Sequence, residues 1–479
     1  FYGLGSELGS ERGGRQGYWT GRLAAGLCAV YGPLIFFEGQ MLAPGITVPL
    51  TAAAFWCLLS AGNRDRLWLL IVAGALTGLA LMGRPNLLVV LPVGLIWLLL
   101  RSWSYPRKAL AVGLAAAGLC LGLLPSWVHN ASSGQEFVLV SSSGGHSFFI
   151  GNNSQATGGF HVPRGEKIDD SSHQAYRRSL TVLAERAQGQ KLTPGEVSSY
   201  WYQRGFEFWG AHPGQALVLT GKKILLSVNG YERPIHHSYV FGEQLAPVLG
   251  WLVTFAVVFP FAILGILLGW RRYAGSGLLA VSGGAYLLTL VLFYVADRYR
   301  IMLLPMLLPL AGLGMVELAG RIKQVGKKAW PYLLTLAVAF AVTQLPMTSE
   351  QAEAKAMSIG YNLMGKAEGE RGDLARAEKH FRRAIELAGP GRGAVVRTNL
   401  GLILERRGDF ETAKELYYEA AAASSQWRVV RIRLARMSER EGDLTEALHW
   451  WQEVADLQAE PEKALAEVKR LQKMIKEKL

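Results

Sequence analysis

Three arginines and two acidic residues stand at the ends of long apolar runs in the sequence. Glu38 follows the first run, Arg84 follows the third, and Asp297, Arg298 and Arg300 precede the eighth. Guanidinium groups bind phosphate oxygens through paired hydrogen bonds, and partial removal from water strengthens the pairing. This arrangement suits a monophosphate or diphosphate whose lipid tail lies in a bilayer.

The same residues also allow simpler interpretations. Arg84 could reach toward lipid headgroups from a helix end. Asp297 could form an interfacial ion pair with Arg298 or Arg300 that fixes the following helix, and Glu38 could be a solvated carboxylate. The sequence leaves these alternatives open.

Histidine and cysteine do not indicate a metal site or a disulfide framework. The side chains of the adjacent His236 and His237 point in different directions, and no third ligand accompanies them. The three cysteines lie inside apolar runs, where they are typical of small core residues. We therefore predict no metal ligands, and nothing in the sequence supports a divalent metal requirement.

The elements that position these residues are apolar runs. Half of the 479 residues are hydrophobic, and the mean hydropathy is +0.19. A helix of roughly 17–25 apolar residues crosses a bilayer. Nine uncharged runs predict such helices: Leu23–Phe37, Gly39–Asn63, Leu67–Gly83, Pro85–Leu100, Ala109–Val128, Leu245–Trp270, Tyr273–Ala296, Ile301–Val316 and Ala329–Ser349.

The basic residues between these runs predict the orientation. Eleven Lys and Arg residues fall in the short loops on one side of the predicted membrane, and three fall on the other. The side rich in Lys and Arg is the cytoplasmic one. The long loop at 129–244 and everything after the ninth run are then extracytoplasmic. The net charge of +13 lies in these loops and in the C-terminal region, so we exclude nucleic acid as a partner.

The long loop has patterns of its own. It contains strand-like stretches, helical patterns, and an amphipathic segment that would return to the membrane with Lys222 and Lys223 at headgroup level. The predicted strands are Phe137–Ser141 and Ser147–Ile150, and the predicted helical segments are Ser172–Ala187, Pro194–Trp209 and Pro213–Asn229.

The C-terminal region repeats with a period near 34. Ala377, Ala413 and Ala447 recur at spacings of 36 and 34 residues, and a large aromatic residue stands four positions after each. This pattern resembles the tetratricopeptide repeat, a helical hairpin with small residues where its helices cross. Such repeats imply a binding surface for a protein partner. The turns are predicted at Gly372-Asp373, Gly408-Asp409 and Gly442-Asp443.

The predicted fold class is an all-α membrane protein. It comprises a polytopic transmembrane helix bundle, a mixed extracytoplasmic loop domain and a C-terminal α-solenoid. The predicted domains are residues 1–128 and 245–349 for the helix bundle, 129–244 for the loop domain, and 350–479 for the repeats.

Five blocks together resemble the bacterial polytopic C-type glycosyltransferases of the protein-mannosyltransferase and aminoarabinose-transferase type. Their order and spacing fit over roughly residues 1–320. The blocks are Tyr31-Gly-Pro-Leu-Ile-Phe-Phe-Glu38, Gly78-Leu-Ala-Leu-Met-Gly-Arg-Pro-Asn86, Gly151-Asn-Asn-Ser-Gln-Ala-Thr-Gly-Gly-Phe160, Asn229-Gly-Tyr-Glu-Arg-Pro234 and Asp297-Arg-Tyr-Arg-Ile-Met-Leu-Leu-Pro305.

The resemblance implies transfer of a sugar from a polyprenyl-phosphate donor to a protein or lipid acceptor, outside the bacterial cytoplasmic membrane. The family's catalytic carboxylate follows its first membrane helix, so we expect it upstream of Phe1 and assign no catalytic residue. No cofactor other than the lipid-linked donor substrate is predicted. We expect Arg84, Arg298 and Arg300 to bind the donor phosphate, and Glu38, Glu232, Asp297 and Tyr299 to contact the sugar or acceptor.

Two other functions fit the same features. A ligase or polymerase of lipid-linked polysaccharide also combines many helices with a large external loop. A membrane-anchored repeat scaffold would need no chemistry. A transporter fits less well, because the predicted helix interiors hold almost no ionisable groups.

Overall fold

The structure is a computed structural model. It describes residues 1–479 except 10–13, 133–142, 164–167, 169–172, 236, 390–392, 425–426, 458–461 and 479. The described residues form helices and no strand; one isolated bridge pairs Tyr31 with Val253. The chain divides into two compact units. The first comprises Phe1–His161, Tyr202–Ile235 and Gly242–Met347, and the second comprises Val162–Trp201, His236–Phe241 and Thr348–Leu479.

Seventeen α-helices are described before residue 347. They are α1 (Tyr2–Gly9), α2 (Gly14–Ala29), α3 (Gly32–Gly39), α4 (Pro44–Asn63), α5 (Leu69–Gly83), α6 (Val90–Leu99), α7 (Tyr105–Ser132), α8 (Gly144–Gly151), α9 (His173–Gln188), α10 (Pro194–Ala211), α11 (Pro213–Val228), α12 (Tyr239–Leu245), α13 (Phe255–Gly269), α14 (Ala274–Leu292), α15 (Asp297–Arg300), α16 (Leu304–Val325) and α17 (Trp330–Thr343).

Four of the described helical stretches are long and apolar enough to cross a membrane, and four apolar helices are shorter. The long ones are Pro44–Asn63, Tyr105–Ser132, Ala274–Leu292 and Asp297–Gln324, and the shorter ones are Leu69–Gly83, Pro85–Leu99, Phe255–Gly269 and Trp330–Thr343.

Helix α16 lies at the centre of the first unit. Leu304, Leu308 and Leu310 on this helix are at most 1% exposed. Helices α1, α2, α4, α13 and α14 all pack against it. The crossing with α13 is close because a Cβ atom on Gly314 would meet the Phe261 carbonyl. Ile301, Met302 and Leu303, which lead into α16, are also at most 1% exposed, so this segment is held by its surroundings.

The first predicted membrane run, Leu23–Phe37, is not one helix. Helix α2 ends at Ala29 and α3 begins at Gly32, with Pro33 in its first turn. Between them the Gly32 N–H donates to the Val253 carbonyl at 2.9 Å. Proline fits the first turn of a helix but cannot continue an earlier one, which explains the break.

The long segment at 129–244 is helical where the sequence predicts helices. Helices α9, α10 and α11 confirm the helical predictions in this region. The predicted strand at Ser147–Ile150 is wrong, because these residues lie in α8. Phe148, Phe149 and Ile150 are all buried, and a short apolar run that is buried on every side does not reveal its period. The other predicted strand, Phe137–Ser141, lies outside the described residues.

The C-terminal part of the second unit consists of helical hairpins. The predicted turns are confirmed: Gly372, Gly408 and Gly442 adopt φ of 89°, 86° and 85°, and the aspartate after each caps the next helix through a side-chain hydrogen bond. The helices are α18 (Glu350–Arg371), α19 (Leu374–Ala388), α20 (Ala394–Arg407), α21 (Phe410–Ala423), α22 (Arg428–Glu441), α23 (Leu444–Leu457) and α24 (Glu462–Lys478).

Small residues and aromatic rings meet within each hairpin. A Cβ atom on Gly365 would lie 2.7 Å from the Phe381 ring, and one on Gly401 would meet the Tyr417 ring in the same way. Ala377 and Ala413 are fully buried. The predicted repeat pattern is thus the packing pattern of these helices.

Candidate functional site

Arg84 leaves the helix that precedes it. It caps the C-terminus of α5, where its N–H donates to the Ala80 carbonyl at 2.9 Å. Its backbone is extended, with φ of −146° and ψ of 87°. The next residue is Pro85, and proline disfavours the helical conformation in the residue before it. The Arg84 side chain therefore extends away from α5 and reaches the Asp297–Arg300 turn.

Arg84 and Arg298 both contact the ring of Tyr299. The guanidinium carbons lie 4.8 Å and 5.1 Å from the ring centroid. Arg84 Nη2 also donates to the Arg298 carbonyl at 3.4 Å, and Arg298 Nη2 donates to the Tyr299 hydroxyl at 3.2 Å. The two half-buried cations are held close together although like charges repel.

Each of these two arginines has a buried donor without a partner. The Nε atoms of Arg84 and Arg298 are shielded from solvent and make no hydrogen bond within the described part of the chain. There, no carboxylate forms an ion pair with either group. An unsatisfied buried donor on a charged group costs more than 1–3 kcal/mol, as an order of magnitude. An anion that accepts from both groups would remove this cost.

Asp297 begins the helical turn that carries Arg298. It is 2% exposed. Its Oδ1 accepts from the Arg298 N–H at 2.6 Å, and its own N–H donates to the Arg233 carbonyl at 3.0 Å. Its Oδ2 has no hydrogen-bond partner among the described residues. Asp297 therefore fixes the start of the turn and keeps one buried acceptor available.

Arg300 is engaged within the protein. It is 3% exposed and forms an ion pair with Glu232, which is 4% exposed, at 2.8 Å. Its other donors reach the carbonyls of Asn229 and Tyr231. The guanidinium also lies 4.3 Å from the centroid of the Phe255 ring. Unlike Arg84 and Arg298, this cation is already neutralised and hydrogen-bonded.

The turn at Asn229–Arg233 joins the end of α11 to the end of α17. Asn229 Nδ2 donates to the carbonyls of Thr343 and Leu345 at 3.1 Å and 2.8 Å. Arg233 Nη2 donates to the Met347 carbonyl at 3.2 Å. Because Glu232 lies within this turn, its position against Arg300 is set by three chain segments.

Tyrosine hydroxyls complete the surroundings of the arginines. The Tyr294 and Tyr299 hydroxyls lie 3.1 Å apart, and the Tyr286 hydroxyl donates to the Tyr299 carbonyl at 3.1 Å. Phe160 packs against Tyr294 with ring centroids 5.6 Å apart. This cluster of tyrosines could hydrogen-bond and stack against an uncharged polar group next to a bound anion.

The structure brings most of the predicted site residues together. Arg84, Arg298 and Tyr299 form one cluster. Asp297 and Arg300 are close to this cluster in sequence, and Glu232 is paired with Arg300. Glu38 is exposed at the end of α3, and no described hydrogen bond or ion pair joins it to these groups. Its predicted role stays a prediction. His236 lies outside the described residues, so the prediction about metal ligands there is untested.

Lys223 is buried inside the protein, whereas the sequence predicts it at headgroup level. It is 0% exposed, whereas the neighbouring Lys222 is exposed. Its Nζ donates to Asn152 Oδ1 at 3.0 Å, and Trp209 Nε1 donates to the same oxygen at 3.0 Å. Burial lowers the pKa of Lys223 to about 7. Helical phase explains this burial, because Lys223 falls on the buried face of α11 with Leu219.

Sequence reasoning also missed Asn152 as a central residue. Its amide nitrogen donates to the carbonyls of Phe148 and Leu292, both at 2.8 Å. The residue therefore ties α8 to the end of α14, close in sequence to the arginine turn. The only sequence signal is its position in the Gly151–Phe160 block, which carries no indication of burial.

Comparison with known families matches residues 356–426 to the tetratricopeptide repeat. No curated protein matches this chain. The match covers α19, α20 and α21 fully and the greater part of α18. Residues 356–426 within the C-terminal helical hairpins are therefore similar to tetratricopeptide repeats.

Proposed function

We propose that this protein is a membrane glycosyltransferase. It would move a sugar from a polyprenyl-phosphate donor to a protein or lipid acceptor on the extracytoplasmic side of the bacterial inner membrane. The nine predicted membrane segments and the external position of the repeats belong to the same proposal.

The observation that supports it is a pair of guanidinium groups whose hydrogen bonding is incomplete. Arg84 and Arg298 flank Tyr299, and the buried Nε of each has no hydrogen-bond partner among the described residues. Both stand at the ends of apolar helices, so a ligand between them would have its charge at the bundle rim and its tail beside apolar helices. A lipid phosphate has this combination of charge and hydrocarbon.

The remaining residues would act around this phosphate. Arg300 is a positioning residue in this account, because its ion pair with Glu232 holds Asp297 and Arg298 in place. Asp297 Oδ2 and the Tyr299 hydroxyl would accept from or donate to sugar hydroxyls. When the glycosidic bond to phosphate breaks, the leaving phosphate gains charge, and Arg84 and Arg298 would stabilise that charge.

A polysaccharide ligase or polymerase would use the same donor chemistry but a different acceptor. The repeats support a protein partner in either case. A scaffold without chemistry leaves unexplained why the buried Nε donors of Arg84 and Arg298 have no partner in the part of the chain that the structure describes. The enzyme is therefore the better supported function.

The proposal is tested by turnover of the donor. Purified full-length protein with a polyprenyl-phosphate sugar should release polyprenyl phosphate, and Arg298→Ala should reduce the rate by about a hundredfold. Arg101→Ala is the matched control, since Arg101 also lies over an aromatic ring, Trp97, at 4.9 Å. Full activity of Arg298→Ala would remove Arg298 from the site.

A reporter fused after Leu479 should lie outside the cytoplasm; a cytoplasmic reporter would contradict the orientation.

A further inference from the structure

The tetratricopeptide repeats separate their charges between two layers of helices. The first helices of the second and third hairpins, α20 and α22, carry eight arginines and three glutamates. The second helices, α21 and α23, carry one lysine and six acidic residues. One layer therefore has a net charge of +5 and the other a net charge of −5. The total is zero, so the net charge of the sequence does not reveal this separation.

Some of these charged side chains form ion pairs between the two layers of the repeats. Arg397 and Arg431 form ion pairs with Glu419 and Glu453 at 2.8 Å and 2.6 Å. These two arginines are 7% and 5% exposed. They join the first helix of each hairpin to its second helix and are not available to a partner.

Glu446 in the acidic layer is also engaged within the repeats. Partial burial raises the pKa of Glu446, but hydrogen bonds from Tyr418, Ser438, Trp450 and Lys414 outweigh this effect and lower the pKa to about 2. This carboxylate is a hydrogen-bonded structural group. It is not an open acidic patch.

Three arginines of the first helices remain without an acidic partner. Arg406, Arg436 and Arg440 are exposed, and within the described residues no carboxylate oxygen lies within 4.0 Å of them. Arg406 and Arg440 are 34 residues apart and occupy equivalent positions in consecutive repeats. Arg406 donates to the Gly369 carbonyl at 3.4 Å, which leaves its charge without an opposite charge. The cations without an acidic partner thus fall on one layer.

Apolar residues share this face. Val395, Asn399, Leu402 and Arg406 follow one another at helical spacing along α20, so they lie on one side of it. Their equivalents on α22, each 34 residues later, are Val429, Arg433, Arg436 and Arg440. Val395 is 38% exposed. The two helices are neighbours, since Arg433 pairs with Glu405 at 3.3 Å.

We propose that this face, defined by Val395, Asn399, Leu402, Arg406, Val429, Arg433, Arg436 and Arg440, binds an acidic segment of a partner protein. Carboxylates of the segment pair with Arg406, Arg436 and Arg440, and an apolar side chain contacts Val395 and Val429. The inference does not depend on the proposed transferase activity.

The test uses the full chain in detergent and a fluorescent peptide of four Glu-Glu-Leu units. The peptide should bind, with an affinity that falls as salt rises, whereas a Lys-Lys-Leu peptide should not. Arg436→Glu with Arg440→Glu should weaken binding at least tenfold. The control, Lys379→Glu with Lys469→Glu, makes the same charge change at exposed positions on α19 and α24 and should weaken binding less than threefold.

Equal losses in the two double variants, no loss in either, or equal binding of the basic peptide would overturn the proposal. If the reversed pair melts at a lower temperature than the control, Arg436→Gln with Arg440→Gln replaces it. That pair should still weaken binding at least threefold.

Discussion

At the scale of single residues, the site depends on which arginines are already neutralised. Arg298 and Arg300 are two positions apart, yet Arg300 is paired with Glu232 and Arg298 is paired with no acid among the described residues. The sequence identifies both as candidates from their place at a helix end. It cannot distinguish them, because Glu232 is distant in sequence and its approach depends on the turn at Asn229–Arg233.

The buried lysine makes a prediction about pH. The pKa of Lys223 is about 7 in the folded chain and 10.5 in its ordinary environment. Between these values the unfolded chain binds more protons, so stability should rise with pH above 7, by as much as about 1.4 kcal/mol per pH unit. The apparent melting temperature of the natural protein should therefore rise from pH 7 to pH 9 relative to Lys223→Met.

Lys222→Met is the matched control for this measurement, because Lys222 is the exposed neighbour on the same helix. It should keep the pH dependence of the natural protein. The same rise with pH in Lys223→Met would show that Lys223 is not the group responsible.

At the scale of elements, glycines allow a close helix crossing in the first unit. Helices α5 and α7 cross where a Cβ atom on Gly118 would meet the Ile71 carbonyl, and one on Gly122 would meet the Ala75 carbonyl. Close crossings of this kind bring helix backbones together and fix their geometry. Helix α5 carries Arg84 at its end, so this crossing helps to place the arginine.

Gly118→Val should destabilise the protein by roughly 1–3 kcal/mol through overpacking, and more if α5 is displaced. The expected observation is a lower apparent melting temperature. Gly113→Val on the same helix changes helix propensity equally, but a Cβ atom at this position would meet no atom of the described residues within 4 Å. Equal melting temperatures for the two variants would contradict the crossing.

The sequence predicts the helices and turns of the repeats in more detail than the helices of the first unit. The repeat hairpins could be predicted in detail, because Gly372-Asp373 and its equivalents encode turn and cap locally. Ser147–Ile150 could not, since its burial on all sides comes from tertiary contacts. Leu23–Phe37 is one apolar run in the sequence, and only Gly32-Pro33 indicates the break between α2 and α3.

At the scale of the whole molecule, one chain combines apolar helices with tetratricopeptide repeats. Four described helices have the length and composition to cross a membrane, and the repeats follow them. A membrane enzyme that acts on a protein acceptor would gain from such an arrangement, since a bound partner has a raised local concentration at the membrane.

The central claim is that Arg84 and Arg298 hold a lipid phosphate. The most direct measurement compares the binding of polyprenyl phosphate and of uncharged polyprenol to the detergent-solubilised full-length protein. We predict that the phosphate form binds at least tenfold more tightly, and that Arg84→Ala with Arg298→Ala abolishes this difference while polyprenol binding is unchanged. Equal affinity for the two lipids, or a phosphate preference that survives in the double variant, would contradict the account.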